Sequence, residues 1–582
     1  MTGVRSVYEL AEEWIEWDEC ATTRNEISRL KASNNVHELE RRLRSRVSFG
    51  TAGLRGTVEA GYVGLNGLTV IQASQGIARY LLHKDPQIAK RGVLIGHDHR
   101  CYNSISSSYL ASLAAGVFHA FNFKVYFYNQ FVHTPLVPFG VAYLGTACGI
   151  MITASHNPAT DNGLKLYWSN GCQIIPPIDS DICNEIEKNL KPIIWNESPE
   201  VYPDPFQTIS EAYFNSLLQE CPSLQSNSIF SKIVYTPMHG VGLPFFRKAM
   251  QNLGSGRAIH VVPEQAAPDP AFPTVKFPNP EEKGTLDLAM AYAEKVGAPL
   301  VFATDPDADR FAMAEQGAEG WHIFTGNEIG ILLAVYALRR YKKSHTDLSK
   351  LYMLTSYVST QMLRQISAME GFKYEETLTG FKWLGNRALC LREEGYDVEF
   401  AFEEAIGFMF GQLYDKDGIG AAVFCTSLAD ELYSQGSTFL EELQQLNERY
   451  GFYKNLNFYY MSPTTSVTNG VFASIRQTIE PQKCPCVWQG QTIDLFQDMT
   501  ADYLTNVEQD SKLIATSGQM VAFHFPEGRA IIRSSGTEPK IKVYIEAKAA
   551  SIWEATMQAS RIAKFLSIQF FSPQSLRCSI DS

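Results

Sequence analysis

The chain has 582 residues, 45% hydrophobic and 19% charged, with a formal net charge of −12. That balance excludes a disordered chain and argues against a general nucleic-acid binder, which would carry a basic surface. The length exceeds what one hydrophobic core organises, so roughly three to five domains are expected.

The N-terminal residues 1–20 are acidic and carry Trp14 and Trp17, with neither a basic nor an apolar leader segment, so no signal peptide is expected. Residues 6–46 read as two amphipathic helices. From Val63 a helical stretch at 68–82 precedes short apolar runs at 92–96, 124–128 and 148–153, the alternation of an α/β sheet. The grammar recurs with a strand at 232–236 and a Pro-Met-His-Gly turn. A strand at 299–303 then ends in a carboxylate loop. A third unit starts with a helix at 329–340, continues through a strand at 351–355, and ends in loops at 379–387 and 402–411. After Tyr450, residues 464–468, 519–525, 528–533 and 540–546 read as antiparallel strands, covered by a helix at 552–566. The expected fold class is three similar mixed α/β domains plus a smaller C-terminal α+β domain, with bounds 1–225, 226–328, 329–450 and 451–582. The longest helical apolar run, near 329–338, is too short to span a bilayer. Eleven cysteines lack framework spacing, and no second pair completes a zinc site with Cys484 and Cys486. Reduced thiols and a cytoplasmic protein are expected.

Six segments carry chemistry. Thr153-Ala154-Ser155-His156-Asn157-Pro158 directly follows a strand, which suits an exposed nucleophile at Ser155, with His156 and Lys165 near enough to steady a phosphate on it. The bland alternative is a serine capping the next helix. Asp305-Pro306-Asp307-Ala308-Asp309-Arg310 puts three carboxylates on one side of an extended segment, where a divalent cation is their natural partner and hard oxygen ligands select magnesium. An EF-hand fails, because Arg310 and Gln316 stand where Gly and Glu belong. A haloacid-dehalogenase-type phosphatase with Asp305 as nucleophile stays open, although Asp309 stands where that pattern wants Thr or Val.

Arg533-Ser534-Ser535-Gly536-Thr537-Glu538-Pro539 lies between two strands. It can present an Arg, hydroxyls and N–H donors to one phosphate, or be a polar hairpin turn. Gly50 to Gly56 is a glycine-rich turn carrying Arg55 but lacking a P-loop ending. Lys382 sits between aromatics, and Glu403 and Glu404 follow a strand, where carboxylates suit sugar hydroxyls.

Together, and in their order along the chain, these segments resemble the α-D-phosphohexomutase superfamily over nearly its whole length. The closer match is to its eukaryotic phosphopentomutase/phosphoglucomutase branch, which includes glucose-1,6-bisphosphate synthases. Gly380-Phe381-Lys382-Trp383, Phe402 to Gly407 and Ser535 to Lys542 carry it. The resemblance implies four domains around a central cleft. It makes Ser155 a phosphoserine that, with Asp305, Asp307 and Asp309, holds one Mg2+ per active site. It gives Lys165 and Lys382 proton-handling roles, and places Arg55, His156 and Arg310 in the cleft. It assigns Glu403 to a sugar hydroxyl, and Arg533, Ser535, Gly536 and Thr537 to the non-reacting phosphate. Ala405 departs from hexose-specific relatives, which carry Ser there. The implied activity interconverts sugar 1-phosphates with 5- or 6-phosphates through a bisphosphate, which also serves as activator. The alternatives are a bisphosphate synthase using 1,3-bisphosphoglycerate, or a non-catalytic sugar-phosphate-binding scaffold. The implied partners are small sugar phosphates, not nucleic acid or membrane.

Overall fold

Five-residue, mostly apolar runs such as Val93–His97 and Cys148–Ile152 are buried along their whole length, as strands covered on both faces must be. The structure is a computed structural model. It describes residues 5–50, 53–195, 202–221, 232–254, 258–479, 484–500, 518–535, 540–571 and 576–580. The chain divides into two compact units, one of residues 1–337 and 381–438, the other of 338–380 and 439–582. Residues 338–380 and 381–438, though consecutive, fall in different units.

In the first unit, one sheet orders its strands Leu54–Thr57, Asp161–Trp168, Cys148–Ile152, Val93–His97 and Val125–Phe127. The last three are parallel and the first two antiparallel. The next sheet repeats the plan with Gly320–Ile323, Phe311–Gly317, Leu300–Thr304, Lys232–Thr236 and Ala258–Val261. A third antiparallel hairpin joins Asp397–Glu403 to Gly407–Phe410, pairing Glu403 with Gly407. Each hairpin turns on one non-glycine residue with left-handed backbone: Ser155 (φ 53°), Ala308 (φ 51°) and Ile406 (φ 50°). Such conformations are uncommon for residues bearing a Cβ and cluster where geometry serves a site.

The second unit holds the parallel pair Leu351–Ser356 and Lys373–Thr377. It also holds a six-stranded antiparallel sheet ordered Leu495–Asp498, Met520–Phe525, Gly528–Ser534, Lys540–Ala549, Phe452–Met461 and Arg577–Ile580. Helix Ile552–Leu566 buries Ala559, Ile562 and Leu566 in a core shared with Val543 and Ile545.

Four local expectations are corrected. The N-terminal stretch forms three helices, Val7–Trp17, Ala21–Ala32 and Val36–Leu43, because Asn35 caps a new helix through the Glu38 amide (3.2 Å). The supposed strand at 464–468 is the start of helix Thr465–Thr478. Thr464 caps it through the Val467 amide (3.3 Å), and Val471, Phe472 and Ile475 form its buried stripe. The supposed loop at 379–387 is mostly the first turns of helix Phe381–Glu393, and the loop at 402–411 is mostly the third hairpin.

Candidate active site

Strand Cys148–Ile152 delivers Ser155 to the end of the first sheet. Its hydroxyl donates to Asp305 Oδ2 at 2.7 Å and lies 3.3 Å from His156 Nδ1. The expected exposed nucleophile is in fact 3% exposed, because the loop folds back over a buried cation. That cation is Arg100. Its guanidinium donates to the carbonyls of Ser155 (2.6 Å), Asn157 (2.7 Å), Pro158 (2.8 Å) and Asp161 (3.1 Å). Asp98 holds the arginine in turn, accepting from the Arg100 amide at 2.9 Å, with Nε at 3.5 Å. Four carbonyls on one guanidinium leave the Ser155 turn little freedom.

Strand Leu300–Thr304 delivers the carboxylates, all fully buried. Asp305, Asp307 and Asp309 each offer an oxygen within 4.8 Å of the others. Lys165 Nζ reaches Asp307 (2.7 Å) and Asp309 (2.6 Å), and Lys416 Nζ reaches Asp309 (2.8 Å). Thr134 donates to Asp307 Oδ2 at 2.5 Å. Burial, then the charges of Asp307 and Asp309, push the Asp305 carboxyl well above the usual range. Burial and Asp309 also oppose ionisation of Asp307, but Lys165 and Thr134 outweigh them and hold it below its ordinary value. Burial likewise opposes ionisation of Asp309, yet Lys165, Lys416 and Arg310 hold it low. The second oxygens of Asp307 and Asp309 are buried with no hydrogen-bond partner among the described residues. Orphaned carboxylate oxygens beside an acid that cannot ionise comfortably fit a divalent cation taken up by oxygen ligands.

The loop is held from several sides. Thr134 N donates to Asp307 O (2.9 Å), Val241 N to Pro306 O (2.8 Å), and Gly418 N to Ala308 O (3.2 Å). A Cβ on Gly240 would sit 2.3 Å from Pro306 Cα, so only glycine lets that turn approach.

Around this centre, Arg55 Nη1 donates to Asn157 Oδ1 at 3.3 Å. Burial, then Arg310 and Arg55, drive His156 well below its usual pKa, so its imidazole is neutral. Burial opposes the charge of Arg310, but Glu281, Asp305, Asp309 and Glu403 overcome it and raise its pKa. Glu403 ends the first strand of the third hairpin, two residues before the half-buried Ala405. Lys382 is not joined to the triad by hydrogen bond or ion pair among the described residues. Its ammonium lies 5.1 Å from the Trp383 ring centroid, and burial pulls its pKa down to about 8 against the field of Asp179.

In the second unit, Arg533 Nη2 donates to the Tyr544 hydroxyl at 2.9 Å, and the Ser535 amide to Lys540 O at 2.8 Å. Gly536 and Thr537 lie outside the described residues. Sequence reasoning missed Arg100, Thr134 and Lys416. Arg100 lies just past strand Val93–His97, an end where sites form in parallel sheets. Lys416 precedes the helix cap Asp417, and Thr134 precedes a helix; neither carries a local signal.

Four family models match: phosphoglucomutase/phosphomannomutase alpha/beta/alpha domain I at residues 46–192, domain II at 211–319, domain III at 325–450, and the C-terminal domain at 498–562. A probable phosphoribomutase of Schizosaccharomyces pombe is 42% identical, with 97% of this chain and 98% of that one covered. A human glucose 1,6-bisphosphate synthase is 39% identical, with 92% and 89% covered. Among solved structures, the open form of the Paramecium phosphoprotein pp63/parafusin matches with a TM-score of 0.67 at 20% identity, over 91% of this chain and 96% of that one.

Proposed function

The chain belongs to the phosphoglucomutase/phosphomannomutase family, and from that premise we propose that it moves a phosphoryl group between the 1-position and the 5- or 6-position of a sugar by way of Ser155. The observation that carries the reading is the approach of the Ser155 hydroxyl to Asp305, at 2.7 Å, inside a triad built for a cation.

A Mg2+ held by Asp305, Asp307, Asp309 and an oxygen of phosphorylated Ser155 would neutralise charge on the transferring group. In the first half-reaction a sugar hydroxyl attacks the phosphorus, the new O–P bond forms, and the bond to Ser155 Oγ breaks. The hydroxyl proton passes to a base, for which the neutral form of Lys382 is suited, and Ser155 Oγ regains a proton. The resulting bisphosphate turns end for end and returns its other phosphoryl to Ser155. Lys165, Arg55 and the neutral His156 hold the phosphoserine face, Arg310 meets a substrate phosphate, and Glu403 accepts from a sugar hydroxyl. Arg533, Ser535, Gly536 and Thr537 take the phosphate that does not react. Positioning and charge neutralisation suffice, because phosphoryl transfer asks little covalent chemistry of the protein.

The preferred substrates are ribose or deoxyribose 1- and 5-phosphates, with glucose 1- and 6-phosphates also accepted, and a sugar bisphosphate acts as activator. Support comes from the phosphoribomutase relative and from Ala405, which lacks a hydroxyl that could bind a hexose. A lost contact of that kind is worth about 1 kcal/mol, enough to tilt preference without forbidding hexoses. A second reading, bisphosphate synthesis from 1,3-bisphosphoglycerate, draws on the synthase relative. No helix among the described residues is long and apolar enough to cross a membrane. A cytoplasmic location rests on the cysteine usage. The test is kcat/KM for pentose and hexose phosphates beside the rate of bisphosphate formation. Isomerisation should outrun synthesis, with pentose phosphates preferred. Faster synthesis would overturn the mutase reading, and a large glucose preference only its pentose part.

A further inference from the structure

Residues 262–286 run from strand Ala258–Val261 to helix Asp287–Val296 and lie against the site at several points. Phe272 packs under Arg100, whose guanidinium is 5.1 Å from the ring centroid, and edge-on to His99 at 5.6 Å. Thr274 Oγ1 is within hydrogen-bond reach of His239 Nε2 (2.8 Å) and accepts from Gln265 Nε2 (2.9 Å). These anchors position the chain beyond Thr274. Phe277 meets the His156 ring edge-on at 6.0 Å. The Glu281 amide donates to Asn279 Oδ1 (3.3 Å), and Glu281 Oε2 accepts from Arg310 Nη1 at 3.4 Å.

Arg310 is thus engaged by a carboxylate. Its side chain is 16% exposed, so part of the fork can be reached from solvent. Phosphate oxygens bind such a fork in bidentate fashion, and a carboxylate on the same guanidinium both occupies a donor and repels the dianion. The Glu281 side chain is 34% exposed, so it has solvent to move into. We propose that Glu281 competes with a substrate phosphate for Arg310 and so limits how long a sugar bisphosphate stays bound. This inference rests on the mutase reading, in which the bisphosphate must let go of one set of contacts to turn round. An unopposed arginine would hold it.

The test titrates glucose 1,6-bisphosphate, with magnesium, into Ser155→Ala protein, which cannot exchange the phosphoryl, and into the Ser155→Ala/Glu281→Gln double variant. The expected result is a Kd lower by roughly two- to five-fold in the double variant, the scale of one partly exposed ion pair. Glu281→Asp, which draws the carboxylate back by one methylene, should fall between. With Arg310→Ala added, the Glu281→Gln effect should vanish. A merely structural role would weaken binding, not tighten it. An unchanged or raised Kd in the Glu281→Gln protein overturns the inference alone, whereas no bisphosphate binding by the Ser155→Ala protein overturns the inference and the mutase reading together.

Discussion

Three buried carboxylates meet at the centre of the site, and the two ammonium groups beside them are shared unevenly. Lys165 leans on Asp307 and Asp309 and Lys416 on Asp309, leaving Asp305 to the Ser155 hydroxyl and the Arg310 amide (3.0 Å). A cation held by the three carboxylates would add positive charge next to the Ser155 oxygen. Lys382 poses a separate question of protonation. Burial lowers its pKa to about 8, so its amine loses the proton as pH rises through that value. If the neutral amine takes the hydroxyl proton, kcat/KM rises through about pH 8 and then levels. Lys382→Arg, which stays charged, should lose that rise and at least about 100-fold in rate, the lower end for general-base catalysis. A rising limb that persists in Lys382→Arg assigns the proton to another group. At this scale the Asp-x-Asp-x-Asp spacing was legible as a cation site because the chemistry lies in one short segment. Arg100 and Lys416 were not, because each acts on a loop far away in the chain: Arg100 on carbonyls 55 to 61 residues on, Lys416 on Asp309.

The recurring element is a buried strand, a turn on one left-handed residue, and an antiparallel return, seen at Ser155, Ala308 and Ile406. Strand ends place side chains more firmly than free loops do, which suits a transfer that depends on position. The turn at 305–310 leans on helix Gly418–Ser434, whose first amide bonds Ala308 O. Asp417 caps that helix through the Ile419 (3.0 Å) and Gly420 (2.9 Å) amides and accepts from the buried Tyr213 hydroxyl (2.8 Å). Asp417→Ala should cost about 2–4 kcal/mol, from a lost cap and an orphaned buried hydroxyl, and lower the first unfolding midpoint. Asp417→Asn, which keeps an acceptor, should recover most of that loss. Equal midpoints for Ala and Asn variants would show that the cap contributes nothing. The strand Leu300–Thr304 was legible from its run of apolar residues. The helix Thr465–Thr478 was misread because its β-branched first turn looks like a strand until the later buried stripe is counted.

At the scale of the molecule, an acidic chain of net charge −12 handles anionic substrates by concentrating cations locally: Arg55, Lys165, Arg310 and Lys416 gather within one compact unit. The α/β class was legible from alternating runs, and the order of the motifs pointed to the family. The compact units do not follow chain order: residues 338–380 and 381–438 are consecutive yet fall in different ones. Sequence pattern records local periodicity, not which core a segment joins. The central claim is that Ser155 carries the phosphoryl between sugar positions. The most direct measurement labels the protein with phosphorus-32 from a sugar bisphosphate, maps the label, and chases it with unlabelled ribose 5-phosphate. The account predicts about one acid-stable label per chain on the peptide bearing Ser155, none in Ser155→Ala, and release of the label into sugar phosphate during the chase. A label cleaved by hydroxylamine at Asp305, or one that leaves only as inorganic phosphate, would contradict it.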